Sequence, residues 1–270
     1  MLSKKFRERI EKYKTFSHET IKYLFKNHVT DRICLEVCSD CQYNCMNCGH
    51  GSFKSIYKNY HMSIHELNRF LYYTEKSNYH IREVLLHGPG EPTLWKHLNE
   101  GIKILYESDV IGDIYISTNG VSLDRIKEET FKYIDKIRIS VYPDAKENDI
   151  IGYLQQRFPE KIELEVMNRF TSLPNREYPN SIPCRCSCPI PFFIEDKIFY
   201  CGGSVFDAAK LKGVDIFGCH EVYTELKENY FDNISVGNFD LCKYCVLNSN
   251  IGKQLKSYPH KLFGEVKNEK

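Results

Sequence analysis

Three cysteines in the stretch CSDCQYNCMNCGHGS, residues 38–52, are spaced so that they could hold a reactive metal centre. Cys41, Cys45 and Cys48 follow a C-x3-C-x2-C pattern. A structural zinc site normally has four protein ligands. Three thiolates therefore leave one coordination position on a bound metal open, and chemistry can take place there. The alternative is a zinc site with a distant fourth ligand such as His50.

The charge balance, apolar runs and cysteine content of the chain exclude several classes of protein. The 270 residues include 37 Lys and Arg against 36 Asp and Glu, so no strong net field favours nucleic acid or an anionic membrane as a partner. The charged start MLSKKFRERIEKYKTF lacks the apolar segment of a signal peptide. No apolar run approaches the roughly 18 residues needed to span a membrane. We therefore expect a cytoplasmic protein whose twelve cysteines are metal ligands or reactive thiols rather than disulfides.

Alternating strands and helices should position the cysteine loop. Strand-like runs occupy residues 33–38, 81–87, 113–118, 136–142 and 161–167. Helices are predicted over residues 63–77, which begin with a capping box of Ser63 and Glu66, over residues 94–108, and from near Ser122. Repeated βα units imply parallel strands joined by right-handed crossovers.

The predicted fold class is α/β, with five or six parallel strands in a partial (β/α) barrel. Residues suited to chemistry follow the strand ends: the cysteines after the first strand, HGPGEP (87–92) after the second and STNG (117–120) after the third. Barrels of βα units gather functional residues at that end of their strands. Open doubly wound sheets do the same and remain the alternative.

Three regions are predicted along the chain. Residues 1–30 should form an N-terminal helical segment and residues 31–170 the βα core. The pattern breaks near Thr171, where a stretch rich in Pro, Asn and Ser leads into a small C-terminal unit, residues 171–270. So small a core would gain stability from a bound metal.

The three ordered motifs resemble those of the radical S-adenosylmethionine (SAM) superfamily. They are the C-x3-C-x2-C loop, GPGEP and STNG, each after its own strand. The resemblance implies that Cys41, Cys45 and Cys48 bind three irons of a [4Fe–4S] cluster and leave the fourth iron to SAM. Reductive cleavage of SAM would then yield a 5′-deoxyadenosyl radical, with a flavodoxin- or ferredoxin-type protein as electron donor.

The same resemblance implies contacts to SAM. The glycine–glutamate segment should hold the ammonium group, with glycine required where backbone approaches the ligand closely. The residues implied are Gly88, Gly90 and Glu91 for the ammonium group, Ser117 and Asn119 for the ribose, and Ser140 or Arg138 for the carboxylate. The residue before the third cysteine is usually aromatic in this family and is Asn47 here, which leaves the contact to adenine open.

A second metal region is predicted in the C-terminal unit. The segment PIPFFIEDKIFY (189–200) should form a β-hairpin with a turn at Glu195–Lys197, and DLCKYC ends in a C-x2-C pair. This arrangement resembles the twitch form of the SPASM auxiliary-cluster domain, which implies a second [4Fe–4S] cluster on Cys188, Cys201, Cys242 and Cys245. Cys184 and Cys186 are alternatives to the first of these ligands, and a zinc knuckle with the same ligands is the alternative site.

Strand alternation predicts which side chains face the interior of the barrel. Ile33, Leu35 and Val37 should face the outer helices, whereas Cys34, Glu36 and Cys38 should face inward, as should Arg138 and Ser140 on the fourth strand and Glu163 and Glu165 on the fifth. Our catalytic candidates are Cys38, Arg138 and Glu165. Buried charges need partners, so Glu36 or Glu165 should pair with Arg138. His87 is more often a packing or hydrogen-bonding residue in such a position than a general base.

The function predicted is hydrogen-atom abstraction from a small polar metabolite, a sugar or aminocyclitol alcohol, ending in oxidation. Within the twitch-bearing group the chain resembles the 2-deoxy-scyllo-inosamine dehydrogenase type, through its compact core, hairpin pair and LCK-x-C ending. Epimerisation, with Cys38 as hydrogen-atom donor, and modification of a peptide or protein side chain are the alternatives among enzymes. A zinc-stapled binding protein without catalysis is the alternative outside them.

Overall fold

The protein is represented by a computed structural model, which describes residues 28–43, 51–141, 149–166, 170–171, 191–200, 204–233, 240–241 and 257–258. Most of the predicted N-terminal segment and most of the cysteines lie outside these residues. No helix in the described ranges combines the length and the apolar character needed to cross a membrane.

The described residues form an α/β fold with ten strands and five α-helices. The strands are β1 Val29–Glu36, β2 His80–His87, β3 Ile111–Thr118, β4 Lys136–Val141, β5 Ile162–Val166, β6 Phe170–Thr171, β7 Phe192–Ile194, β8 Lys197–Phe199, β9 Tyr223–Glu225 and β10 Ser257–Tyr258. The helices are α1 Gly51–Ile56, α2 Ile64–Lys76, α3 Leu98–Glu107, α4 Asp149–Arg157 and α5 Ser204–Lys212. All five strands predicted for the core are confirmed, although β1 begins at Val29, earlier than expected.

Eight strands form one sheet in the order β5-β4-β3-β2-β1-β7-β8-β9. The first six of these are parallel to their neighbours, and β8 and β9 are antiparallel additions at one edge. From β5 to β1 the order is consecutive and never reverses. Doubly wound sheets reverse their strand order at a switch point. The observed order therefore favours the predicted βα barrel over the doubly wound alternative. Closure into a partial barrel stays a prediction.

Helix α2 begins where its capping box predicts. Ser63 Oγ accepts a hydrogen bond from Glu66 N at 3.1 Å, and Glu66 Oε2 accepts one from Ser63 N at 2.7 Å. These bonds satisfy two backbone donors that the first helical turn would leave unpaired. The helix then buries Leu67 and Phe70 against the sheet.

The helix predicted from near Ser122 is wrong. Two short 3-10 segments, Leu123–Arg125 and Glu128–Tyr133, take its place. The side chain of Asn99, on α3, holds the break between them: its Oδ1 accepts bonds from Lys127 N at 2.9 Å and Thr130 Oγ1 at 2.8 Å, and its Nδ2 donates to Arg125 O at 2.9 Å. Asn99 thus satisfies backbone groups between the two segments that would otherwise need hydrogen bonds within one continuous helix.

The two faces of the sheet differ in chemistry. On one face Ile33 and Leu35 join a core completed by α2, α3 and α4. On the opposite face, at the β7–β9 edge, Cys34 joins a smaller aromatic core with residues of α1 and α5. The remainder of that face, here called the polar face, carries Glu36, His87, Ser117, Arg138, Ser140, Glu163 and Glu165. The alternation predicted for β1, β4 and β5 is therefore confirmed within these strands.

The predicted hairpin is confirmed as β7–β8. Its turn residues Glu195 and Asp196 have φ values of 44° and 60°, the positive values of a two-residue turn that matches strand twist. Asp196 also contacts Arg69 on α2. Because β7 pairs with β1, residues 192–199 extend the sheet of the core, although they lie in the predicted C-terminal unit. The domain boundaries themselves stay a prediction.

Candidate functional site

The start of the cysteine loop is held on one side by the segment that leads into α2. Met62 N donates to Val37 O at 2.8 Å, and Ser39 N donates to Tyr60 O at 3.0 Å. Tyr60 N donates in return to Ser39 Oγ at 2.8 Å. Residues 37–39 are therefore fixed before the chain reaches Cys41.

The GPGEP segment holds the same stretch from the other side. Gly90 N donates to Cys38 O at 3.1 Å, and Glu91 N donates to Asp40 O at 2.6 Å. A Cβ atom at Gly88 would lie 2.6 Å from Cys38 O, and one at Gly90 would lie 2.7 Å from the carbonyl carbon of Asp40. Both distances are too short for any side chain. The close approach that requires glycine here is to the cysteine loop itself, a reason that the sequence did not reveal.

The Glu91 carboxylate ties this segment to the end of β3. Its Oε1 accepts bonds from Thr93 N at 3.0 Å, Thr93 Oγ1 at 2.7 Å and Thr118 Oγ1 at 2.6 Å, and its Oε2 accepts one from Asn119 N at 2.7 Å. Glu91 is 2% exposed, and this burial raises the pKa of its carboxyl group although the hydrogen bonds oppose the rise. Neither threonine hydroxyl was predicted, because a short polar side chain beside a motif gives no sequence signal.

Asn119 brings the third motif to the first cysteine of the loop. Its Nδ2 lies 3.2 Å from Gln42 Oε1 and 3.8 Å from Cys41 Sγ, and its Oδ1 accepts a bond from Val121 N at 2.9 Å. Gly120 follows with φ of 78° in the turn that ends STNG. The three predicted motifs therefore meet at Cys41.

Cys41 is the predicted metal ligand that the described residues include, and its thiol is partly exposed. An amide N–H directed at a cysteine sulfur suits a thiolate ligand of an iron–sulfur cluster, because hydrogen bonds to sulfur stabilise its negative charge. The other predicted ligands lie outside the described residues: Cys45, Cys48, Cys188, Cys201, Cys242 and Cys245, with the alternatives Cys184 and Cys186. Within the described part of the chain, no three His, Cys, Asp or Glu side chains gather to bind a metal.

Asp40 and His61 were missed by the sequence analysis. His61 Nε2 lies 2.9 Å from Asp40 Oδ2, next to Cys41. Cys38 and His61 also form an isolated antiparallel bridge. This pair fixes the side-chain direction at the last residue before the predicted ligand, and no motif in the sequence links the two positions.

Charged side chains line the far half of the polar face. Arg138 Nε lies 3.6 Å from Glu163 Oε2 and 4.0 Å from Glu165 Oε2, and Lys136 Nζ lies 3.0 Å from Glu163 Oε2. The bond from Lys136 and the charge of Arg138 lower the pKa of Glu163. Glu165 thus lies within ion-pair distance of Arg138, but the two side chains are 39% and 54% exposed, so burial is not what pairs them, and Glu163 is the nearer partner. Glu36, the other predicted partner, lies beside His87 instead. Ser117 lies beside Arg138 in the register, and Ser140 beside Glu165.

Cys38 packs differently from the prediction. It is fully buried in the core shared by Ile33 and Leu35, and its Sγ donates to Glu91 O at 3.0 Å. Burial raises the pKa of this thiol well above its ordinary value. Strand β1 ends at Glu36, so the alternation that placed Cys38 inward does not extend to it. Its catalytic role stays a prediction.

Comparisons with known proteins include two distant similarities to solved structures. No known family model and no curated protein matches the chain. The solved structure of BtrN in complex with AdoMet and 2-DOIA is 21% identical with a TM-score of 0.41, covering 50% of this chain and 55% of that one. Selenomethionine BtrN in an open conformation is 15% identical with a TM-score of 0.45, covering 83% and 90%. The chain thus spans about half the length of the first structure. Structural similarities this weak do not assign the function of BtrN to this chain.

Proposed function

We propose that this chain is a radical SAM enzyme that removes a hydrogen atom from a small polar alcohol, a sugar or an aminocyclitol, and oxidises it. The observation that carries the proposal is the meeting of three motifs at Cys41. GPGEP is bonded to the backbone of Cys38 and Asp40, and Asn119 reaches the thiol of Cys41. Loops after neighbouring parallel strands meet at one edge of any such sheet, but a plain turn does not require an amide N–H directed at a cysteine sulfur, as that of Asn119 is.

The residues around Cys41 fit the proposed cofactors. Cys41, Cys45 and Cys48 would hold three irons of a [4Fe–4S] cluster, and bound SAM and cluster together would supply a carbon-centred radical. Glu91 Oε2 accepts one hydrogen bond among the described residues, and a carboxylate oxygen has room for a second donor. It could therefore take the ammonium group of SAM, whereas Oε1 is already saturated.

The polar face is the proposed substrate site. It carries charges of both signs, with Arg138 between two carboxylates and with Glu36 and His87 nearer to the cysteine loop. Such a surface suits a substrate with several hydroxyl or amino groups, because each can find a donor or an acceptor. Ser117 and Asn119, proposed for the ribose of SAM, and Ser140, proposed with Arg138 for its carboxylate, would place SAM beside this site.

The proposed auxiliary cluster draws support from the hairpin. Phe192 pairs with Phe199, so the chain enters β7 and leaves β8 at the same end. Cys188 and Cys201 flank that end in sequence, as two ligands from one hairpin should. With Cys242 and Cys245 they would hold a second [4Fe–4S] cluster, and a flavodoxin- or ferredoxin-type protein would supply electrons.

Anaerobic reconstitution tests the proposal. We expect about eight irons per chain, four for each cubane cluster, and release of 5′-deoxyadenosine on addition of dithionite and SAM. Replacing Cys41, Cys45 and Cys48 with Ala should leave about four irons and abolish the release. Replacing Cys242 and Cys245 should remove the other four irons yet leave some release.

Other outcomes identify the alternatives. Stoichiometric zinc with no SAM cleavage after reconstitution would rule out the enzyme and favour a zinc-stapled protein. Cleavage accompanied by a redox-neutral product would indicate an epimerase. Cleavage stimulated by a peptide, and by no small alcohol, would indicate modification of a side chain.

A further inference from the structure

Glu36 and His87 occupy matching positions at the carboxyl ends of the two central strands. They are the last residues of β1 and β2 and face each other in the parallel register. The cysteine loop follows the first of them, and GPGEP follows the second. Both side chains belong to the polar face, where the proposed substrate would bind.

The Glu36 carboxylate is buried but incompletely bonded. Glu36 is 2% exposed, and its Oε1 lies 3.6 Å from His87 Nδ1. Its Oε2 has no hydrogen-bond partner among the residues that the structure describes. An unpaired oxygen of a buried carboxylate lowers the stability of the folded protein. A purely structural role would therefore not explain a carboxylate at this position. A positive charge on His87, whose Nδ1 lies 3.6 Å from the other oxygen, would compensate for part of this loss of stability.

The His87 ring is placed between this carboxylate and the open part of the polar face. Its Nδ1 is buried and points to Glu36, whereas 27% of the side chain is exposed. In an imidazole ring, Nε2 lies on the side away from Nδ1. A carboxylate behind one ring nitrogen orients the imidazole and stabilises its protonated form.

The charges around the ring favour proton uptake. Burial by itself lowers the pKa of His87, but Glu36 on β1 and, more weakly, Glu91 in the loop after β2 outweigh it, and the pKa is raised. On β3, Ile116 pairs with Leu86, so the residue that follows it toward His87 is the uncharged Ser117. Arg138 on β4 pairs with Ser117 and lies beyond it.

We propose that Glu36 and His87 are a proton-accepting pair for a substrate hydroxyl group. This rests on the proposed function. The hydroxyl O–H bond breaks and its proton goes to His87 Nε2, which becomes imidazolium while the substrate oxygen becomes anionic. No electron moves in this step. A carbon radical beside an anionic oxygen loses its electron far more readily than one beside a hydroxyl group, so the pair prepares the substrate for oxidation.

Titration of His87 in the protein without clusters or SAM tests the pair directly. NMR of imidazole-labelled protein, with the signal assigned by its loss in His87→Gln, should give a pKa above the ordinary 6.5. Glu36→Gln should lower this pKa. Glu100→Gln is the matched control, since Glu100 lies 3.7 Å from His97 on the exposed surface, and it should leave His87 unchanged. A wild-type pKa at or below the ordinary value would overturn the proposal without any variant.

Coupling of SAM cleavage to product tests the role in catalysis. With 2-deoxy-scyllo-inosamine and myo-inositol as probes, the measured quantity is carbonyl product per 5′-deoxyadenosine released. His87→Gln should lower this ratio roughly 100-fold, the lower range for loss of a general base, and Glu36→Asp should retain more of it than Glu36→Gln. The ratio in the wild type should rise with pH as His87 loses its proton. In Glu36→Gln that rise should move to lower pH, because the pKa of His87 falls.

The outcomes separate the two proposals. Absence of SAM cleavage in the wild type would refute the proposed function. Cleavage with an unchanged ratio in His87→Gln would refute the pair and leave the proposed function standing. If neither probe stimulates cleavage, the substrate class is wrong and the titration of His87 decides whether the pair exists.

Discussion

Replacing Gly90 with alanine should disrupt the contact that positions the cysteine loop. The added Cβ would lie 2.7 Å from the Asp40 carbonyl carbon, whereas carbon atoms in contact are normally about 3.5–4.0 Å apart. The two segments must therefore separate by about 1 Å. That movement stretches the bonds from Gly90 N to Cys38 O and from Glu91 N to Asp40 O, which are 3.1 and 2.6 Å long.

The expected cost follows from these two bonds. Each buried backbone group left without a partner costs about 1–3 kcal/mol, so the free energy of unfolding should fall by roughly 2–6 kcal/mol. Urea unfolding of the unreconstituted protein measures this fall. Reconstitution should also yield fewer irons, because the loop that carries Cys41 has moved.

Gly152→Ala is the control for this variant. Gly152 lies in α4, and a Cβ there would meet nothing within 4 Å. Alanine should leave the stability unchanged or raise it by about 0.5–1 kcal/mol, since glycine in a helix is unfavourable. If Gly90→Ala unfolds at the same urea concentration as Gly152→Ala and loads iron normally, the contact between GPGEP and the loop does not exist as described.

Two other substitutions test the scaffold. Asn99→Ala removes the three bonds that hold the break between the 3-10 segments, and should lower the free energy of unfolding by about 1–2 kcal/mol in urea titrations; an unchanged value would show that Asn99 does not maintain the break. Burial lowers the pKa of His80 below 6.5 in the folded chain, so the unfolded chain binds more protons there and this residue makes stability fall as the pH drops below that value. His80→Gln should therefore lose less stability between pH 7 and 5 than the wild type, and parallel urea midpoints across that range would contradict this assignment.

Local patterns in the sequence were sufficient for the elements of the core. The capping box at Ser63 and Glu66 marks the start of α2, and alternation along 33–36 separates its two faces, because both signals depend on neighbours within a few residues. The hairpin turn at Glu195 and Asp196 was likewise predictable from its flanking apolar runs.

Tertiary partners account for what the sequence did not reveal. Asn99 lies on another helix, and its bonds interrupt the helix that the sequence predicted. Thr93 and Thr118 both bond to the Glu91 carboxylate, but only once the chain has folded. The alternation that placed Cys38 inward fails for a similar reason: the strand ends two residues earlier, where bonds to the segments around Tyr60 and Gly90 take over. Of the predicted metal ligands, Cys41 alone lies within the described residues, and all of the ligand assignments stay predictions.

The sheet order has a consequence for the growing chain on the ribosome. Strand β1 is the first strand of the described sheet to be synthesised, and β2 later covers one of its edges. The other edge of β1 stays unpaired until β7 is synthesised. The hydrogen bonds then formed at this edge include one of 2.9 Å from Cys34 N to Pro191 O. Until residues 191–194 emerge, a strand bearing Ile33 and Leu35 exposes unpaired backbone groups, the kind of edge that recruits other chains. The nascent protein is therefore most vulnerable to aggregation during the long interval between the synthesis of β2 and that of β7.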